Sequence, residues 1–390
     1  MEAVFWISVA IVAYTFVGYG VIITLLAKTK KQVNYPSLSD EDLPEVTLLI
    51  AAYNEQEIVE AKIKNSLALN YPKEKLNIHF VTDGSTDNTN RIIAKHEGIT
   101  LDYSPKRQGK IAAVNRVMPY VKTSITIFTD ANVMINPEGI RLMVERFQNN
   151  LVAAVSGEKT VVSAASDGAS ASGEGFYWKY ESFLKKKDAE YNSLVGSAGE
   201  LFAIRTDLYE TIDTNTLIED FVMTMSMAAK GFKVDYEPKA LAVQSGSANI
   251  EEETKRKVRI SAGGIQAVIK LMPLLNIFKY GKLSFQYISH RVLRWTLMPL
   301  ALLFTLLSNF FIADYQLFYT LVLIAQIAFY TLASIGYIVR NRPTKFKPVY
   351  IPYYFIYMHY CVVLGWIKYF SGKQKVTWEK SKRAVMAEAT

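Results

Sequence analysis

The sequence predicts an α/β domain joined to α-helical transmembrane segments. Three observations predict it. Apolar runs of membrane-spanning length stand near both ends of the 390-residue chain. Between about residues 45 and 245, short apolar runs alternate with helical patterns in βαβα order, which argues a parallel sheet with helices on both faces. Polar clusters recur where those runs end, at the strand edge where open α/β sheets bind ligands.

Composition narrows the class. Half of the residues are hydrophobic and the formal charge is +8, with Lys and Arg gathered beside apolar segments. That pairing suits a cytoplasmic membrane face, so a lipid bilayer is expected as a partner and a nucleic acid is not. The single cysteine, Cys361, excludes an internal disulfide and a Cys-based zinc site, and His79, His96, His290 and His359 show no ligand spacing.

Residues 3–27 form a charge-free run of 25 residues, enough at ~1.5 Å per residue to cross a bilayer of about 30 Å. A cleaved signal peptide would carry a basic start and a shorter core, whereas this run is preceded by Glu2. Lys28, Lys30 and Lys31 put its exit on the cytoplasmic side. Two further spans are expected at about 294–312 and 316–339, a hairpin turning at Asp314 and followed by Arg340 and Arg342. A Tyr-rich stretch, 349–370, contains Pro352 and has Lys345, Lys347, Lys368, Lys373 and Lys375 on its flanks, which leaves a span and a re-entrant segment both open. In 262–280, Ile265, Val268, Ile269 and Met272 recur at helical spacing and Pro273 should break the helix; it reads as interfacial, or as an ordinary core helix. The expected organisation is a membrane helix in 1–30, a catalytic α/β domain in 45–245, and acceptor-side and interfacial helices in 246–290. A membrane hairpin in 291–340, a spanning or re-entrant segment in 349–372 and a basic tail in 373–390 complete it.

Within the middle domain, strands are expected at 46–51, 77–81, 99–103, 125–129 and 201–204, with helices at 56–68, 87–97 and 109–118. Their ends carry chemistry-bearing residues: Tyr53-Asn54-Glu55, then Asp83-Gly84-Ser85-Thr86-Asp87, then Asp130-Ala131-Asn132. Glu55 and Asp83 are suited to accept hydrogen bonds from a base or ribose, and Asp130 to hold a hard divalent ion against a diphosphate. Each cluster also has a plainer reading as a turn or helix cap. Neither GxGxxG nor GxxxxGK[ST] occurs at these places, which argues against dinucleotide and P-loop sites. Arg107-Gln108-Gly109-Lys110 suits a phosphate or a solvated basic loop. Gly196-Ser197-Ala198-Gly199-Glu200 runs into an apolar stretch ending at Arg205, and suits a ligand's close approach or a tight turn. Glu219-Asp220 is an N-cap or a carboxylate pair in which one member is a general base.

In this order, from Tyr53-Asn54-Glu55 through Asp83–Asp87, Arg107 to Asn115, Asp130–Asn132 and Gly196–Arg205 to Glu219-Asp220, the motifs resemble the family 2 inverting glycosyltransferases. With the flanking spans they resemble its membrane-embedded branch, which includes poly-N-acetylglucosamine, hyaluronan, chitin and cellulose synthases. The resemblance covers residues 1 to about 310. It implies a GT-A (Rossmann-like) glycosyltransferase domain, a nucleotide-sugar donor that is usually UDP-linked, Mg or Mn, a glycan or lipid-linked acceptor, and room for an accessory membrane subunit. It implies a multi-pass protein of the inner cell membrane with its catalytic domain in the cytoplasm. Carried onto this chain, Tyr53, Glu55 and Asp83 hold the nucleoside, Lys110 and Arg259 the phosphates, and Asp130 and Asn132 the metal. Asp220 is the base, supported by Glu219, and Trp178, Gly199 and Arg205 stand on the acceptor side.

Two departures bear on function. Asn132 stands where the metal pair has a second carboxylate, so it contributes no charge. The Q-x-x-R-W motif of the polymer synthases reads Arg256-Lys257-Val258-Arg259-Ile260, so Arg259 is kept and Ile replaces the Trp that stacks on the acceptor sugar. Trp178 or Tyr177 is the candidate substitute, set against a role in packing. Extension of a polymer and single-sugar transfer to a lipid-linked acceptor therefore both stand as readings. A non-catalytic membrane scaffold is the reading from another class, and Asp83, Asp130 and Asp220 argue against it.

Overall fold

The structure is a computed structural model that describes residues 1–31, 33–162, 169–247, 249–340 and 346–374. The middle of the chain forms one mixed sheet of eight strands: β1 (Val46–Ala52), β2 (Leu76–Asp83), β3 (Ile99–Ser104), β4 (Ile125–Asp130), β5 (Met134–Ile135), β6 (Val152–Val162), β7 (Leu201–Arg205) and β8 (Lys233–Ser245). Their order is β3-β2-β1-β4-β7-β6-β8-β5. The first four run parallel, as βαβ order requires. The expectation of a wholly parallel sheet fails at β7, which lies antiparallel between β4 and β6. The turn Gly196–Glu200 feeds β7 into the sheet from the end where β4 stops, pairing Leu201 with Thr129.

Side chains alternate across the strands, so β1 buries Leu48 and Ile50 in one layer and Leu49 in the other. The first layer is completed by Val59 and Ile63 of the helix Val59–Leu67. The second is completed by Ile111 and Val114 of the helix Lys110–Val117 and by Leu271, Leu274, Leu283 and Tyr287 from the segment after residue 270. The α/β domain and the start of the membrane region thus share one core.

Among the described residues, three helices are long and apolar enough to cross a membrane: Glu2–Lys28, Leu297–Tyr315 and Leu317–Ile338. The indole N–H of Trp6 donates to the Tyr319 hydroxyl at 3.2 Å, and that hydroxyl donates to Glu2 at 3.2 Å. The chain start therefore lies beside the turn that carries Asp314, while Tyr19, further along the same helix, donates to Asp188 of the α/β domain. The Tyr-rich stretch is one uninterrupted helix, Lys347–Phe370, packed against the helices Ile250–Lys270 and Leu317–Ile338. Arg342, Lys345 and the basic tail from Lys375 on lie outside the described residues.

The segment 262–280 differs from the single interfacial helix expected. A helix of 21 residues, Ile250–Lys270, already ends before Pro273, which sits in a 3-10 turn, and Ile277–Tyr280 follows. Ile265 and Ala267 are buried, so this helix is a core element for most of its length. The interfacial character lies beyond it, where Ile269, Met272, Ile277 and the 99% exposed Phe278 leave an apolar face uncovered.

Candidate active site

The register of β1 with its two neighbours brings three strand ends together. Ala52 pairs with Thr82, one residue before Asp83, and Ala51 pairs with Asp130. Asn54 continues from β1 at φ 53° and joins two loops, its backbone N–H donating to Ser85 Oγ at 3.1 Å and its side-chain oxygen accepting from Thr86 N–H at 2.8 Å. Asp83 is buried and accepts from the backbone N–H of Gln108 (2.9 Å) and Gly109 (2.6 Å), which anchors the basic loop over the strand ends. Tyr53, Glu55, Asp83, Arg107, Lys110, Asp130 and Asn132 line one small cleft. Across it the Arg107 guanidinium lies 3.8 Å from the centre of the Tyr53 ring and donates to its hydroxyl at 3.1 Å. A planar base entering the cleft meets this cation–aromatic pair first.

Next to the cleft, Lys110 bridges the strand end to the paired carboxylates, with Nζ 2.8 Å from Asp130 and 3.4 Å from Glu219. Burial works against its charge, but Asp130 and Glu219 outweigh burial and hold the ammonium above its ordinary range. Beneath the same loop, the fully buried Lys62 donates to the Val133 carbonyl at 2.6 Å. Burial draws its pKa down to about 7, against the pull of Asp130. Nothing in the sequence around Lys62 singles it out; it emerges only when the helix Val59–Leu67 is laid under the sheet.

Glu219 and Asp220 open the helix Glu219–Ala229. Burial pushes the Asp220 carboxyl up to about 7, Glu219 and Glu200 add to the rise, and Lys110 opposes it. Its position is set by the turn before β7. Gly196 takes φ +80° and lets the Phe221 ring pack where a Cβ would lie 2.0 Å from it. At Gly199 a Cβ would stand 3.2 Å from the Asp220 carboxylate, so glycine leaves that face open. Glu200 pairs with Lys159; burial opposes its charge, but Lys159 and then Arg256 hold it well below the usual carboxylate range.

Asp220 faces a cavity of about 900 Å³ that reaches from Lys110 and Asp130 to the helix Lys347–Phe370. Arg259 lines it and donates to the Leu217 carbonyl at 3.3 Å, beside Glu219 and Asp220. Ile260 is exposed on the same wall. Trp178 lines the cavity too, but Lys159, Lys257 and Lys185 stand 5.1, 5.6 and 5.8 Å from its ring centre. Lys257 also lies 5.7 Å from the Tyr177 ring and 5.8 Å from the Tyr354 ring, so this aromatic group packs the long helices together. Arg205 is not brought to the cavity. It ends β7 opposite Ile125, at the far edge of the sheet, and donates to the carbonyls of Val152 (2.9 Å), Phe147 (2.7 Å) and Asn149 (3.3 Å). Asn115 likewise serves the scaffold, holding Tyr209 and Ile212. The contribution of the helix Lys347–Phe370 to the cavity has no motif and could not be read from the sequence.

Fold and site together define a glycosyltransferase of the GT-A kind with membrane-length helices attached. Residues 47–213 match Glycosyl transferase family 2, and this part of the chain is a family 2 glycosyltransferase domain. The chain is similar to poly-beta-1,6-N-acetyl-D-glucosamine synthase of Staphylococcus aureus (strain COL), with 24% identity over 257 residues, 60% of this chain and 58% of that protein. The synthase of the same description from Staphylococcus epidermidis is 24% identical over 282 residues, 69% of this chain and 67% of the relative. The match thus spans less than two thirds of the S. aureus protein's length. Among solved structures, the mannosyltransferase PcManGT from Pyrobaculum calidifontis, in complex with GDP-Man and Mn2+, has the same fold, with a TM-score of 0.70 and 20% identity over 95% of this chain and 100% of that one.

Proposed function

We propose that the protein is a membrane-bound inverting glycosyltransferase that moves a sugar from a nucleotide-sugar, UDP-linked by the family resemblance, to a growing glycan of the cell envelope or an exopolysaccharide. The observation that carries this is the placement of Asp220, a carboxylate with its pKa drawn up to about 7, on a large cavity beside Lys110 and Asp130. A base with a pKa near neutral can accept a hydroxyl proton at neutral pH. The acceptor oxygen attacks the anomeric carbon, its proton passes to Asp220, and the bond to the diphosphate breaks with its electron pair on the leaving nucleotide. Lys110 and Arg259 offset charge on that diphosphate. Tyr53, Glu55, Asp83 and Arg107 receive the nucleoside.

Asp130 and Asn132 offer a carboxylate and an amide oxygen on the wall of the donor cleft. Among the described residues no three acidic, His or Cys groups converge, so the protein supplies about two ligands and phosphates and water the rest, a set that fits Mg2+ or Mn2+. Such an ion would supply charge stabilisation of the leaving diphosphate. Single-sugar transfer to a lipid-linked acceptor is the second reading. It is favoured by Ile260 in place of a stacking Trp and by the lysines around Trp178.

The test is detergent-purified protein with Mg or Mn and a panel of UDP- and GDP-sugars, following nucleotide release and product mass. Release from one donor with product of high mass supports glycan extension. Release with one sugar added supports the second reading. No release from any donor, with Asp220→Asn indistinguishable from the parent, would sink both.

A further inference from the structure

The cavity carries more positive charge than a nucleotide-sugar calls for. Eleven basic side chains and six acidic ones line it among the described residues. A nucleoside-diphosphate sugar brings about two negative charges, and a divalent ion bound with it cancels them. The excess also extends beyond the donor end, to Lys185, Arg291 and Arg294.

Arg294 is the telling residue. It is 9% exposed, and one terminal nitrogen donates to Glu181 at 3.0 Å. Its Nε and its other terminal nitrogen are buried with no hydrogen-bond partner among the described residues. The guanidinium stands 5.7 Å from the ring centres of both Phe16 and Tyr180, on the membrane side of the cavity. Buried donors left unanswered are costly, and a guanidinium edge with two free N–H groups matches two phosphate oxygens. Around it the wall turns apolar, with Phe16, Ile351, Phe355, Met358 and Val362 contributed by the membrane-length helix Glu2–Lys28 and the helix Lys347–Phe370. A soluble anion has no use for such a wall.

We propose that the acceptor is a saccharide joined through phosphate to a polyprenyl lipid, with Arg294 anchoring that phosphate and the apolar wall receiving the first isoprene units. The proposal rests on the glycosyl-transfer reading above and names its acceptor class. The phosphate takes no part in the covalent step: the saccharide hydroxyl still gives its proton to Asp220 and the nucleoside diphosphate still leaves.

Binding to the full-length protein in detergent tests it without turnover, using a long-chain polyprenyl phosphate, the matching polyprenol and inorganic phosphate as probes. The phosphate lipid is expected to bind at least about tenfold more tightly than the polyprenol, with Arg294→Gln erasing the difference and Arg294→Lys keeping part of it. Equal binding of the two lipids in the parent protein, which needs no variant, overturns the proposal. So does a difference that survives in a folded Arg294→Gln protein, and so does inorganic phosphate competing on equal terms with the lipid, which would mark an anion site without a lipid. UDP and GDP binding is measured on the same samples. Loss of nucleotide binding with lipid discrimination intact counts against the glycosyl-transfer reading, and nucleotide binding without lipid discrimination counts against this one.

Discussion

At Asp220 the same burial that prepares a base also costs stability. Its pKa in the folded protein, about 7, is above the ordinary carboxylate value of about 3.9, so the folded state holds the proton more tightly. The stabilisation is present in full below pH 4 and is lost as pH rises through 7. Asp220→Asn should therefore raise the melting temperature at pH 8, by the equivalent of about 2 kcal/mol, and change little at pH 4. The same substitution should lower sugar transfer by about 100-fold or more while leaving nucleotide binding intact. In the parent protein kcat/KM should fall as pH drops below 7 and level off above it; a flat profile between pH 5.5 and 8.5 would remove Asp220 from the base role. Arg205 is argued from contacts of another kind. Arg205→Ala should destabilise by about 2 kcal/mol, since three carbonyls lose a charged donor, and leave the acceptor KM unchanged; a raised KM in a stable protein would return Arg205 to the acceptor side.

Among the elements, the turn before β7 is the most constrained. It enters the sheet antiparallel and sets the Asp220 carboxylate against Gly199. Gly196 needs both its positive φ and the space filled by Phe221. Gly196→Ala should cost about 3 kcal/mol or more, seen as a large drop in melting temperature, and a variant within 2 °C of the parent would show that the turn relaxes. The helix Ile250–Lys270 works similarly at another contact: a Cβ on Gly365 would lie 2.6 Å from Ser261, so glycine sets how closely the helix Lys347–Phe370 approaches the cavity wall.

For the whole molecule, the buried network of Tyr19, Asp188, His290, Glu181, Arg291 and Arg294 ties a membrane-length helix to the α/β domain. His290 Nδ1 lies 2.5 Å from Asp188, and Arg291 lies 2.6 Å from Glu181. The contact of Glu2 with Tyr319 puts the chain start and the Asp314 turn at the opposite end of the membrane region from the domain. Because Cys361 is the one cysteine in the chain and is buried, single-cysteine labelling reads this arrangement cleanly. A membrane-impermeant thiol reagent added to intact cells should modify Asp314→Cys and spare Lys106→Cys. The reverse pattern would place the domain outside the cytoplasm.

Residue order along the chain was enough to read the strand ends, because strand period and turn chemistry are local and the residues named at each end are contiguous. It was also enough for the three membrane-length helices, whose signal is length and apolar content. Both are one-dimensional properties. The antiparallel entry of β7, Lys62 under the Asp130 loop, the removal of Arg205 from the cavity and the wall supplied by the helix Lys347–Phe370 have no such signature. They depend on which surfaces bury each other across a hundred residues or more. That choice is made by packing and by the pairing of buried charge, and it exists only once the chain has closed on itself.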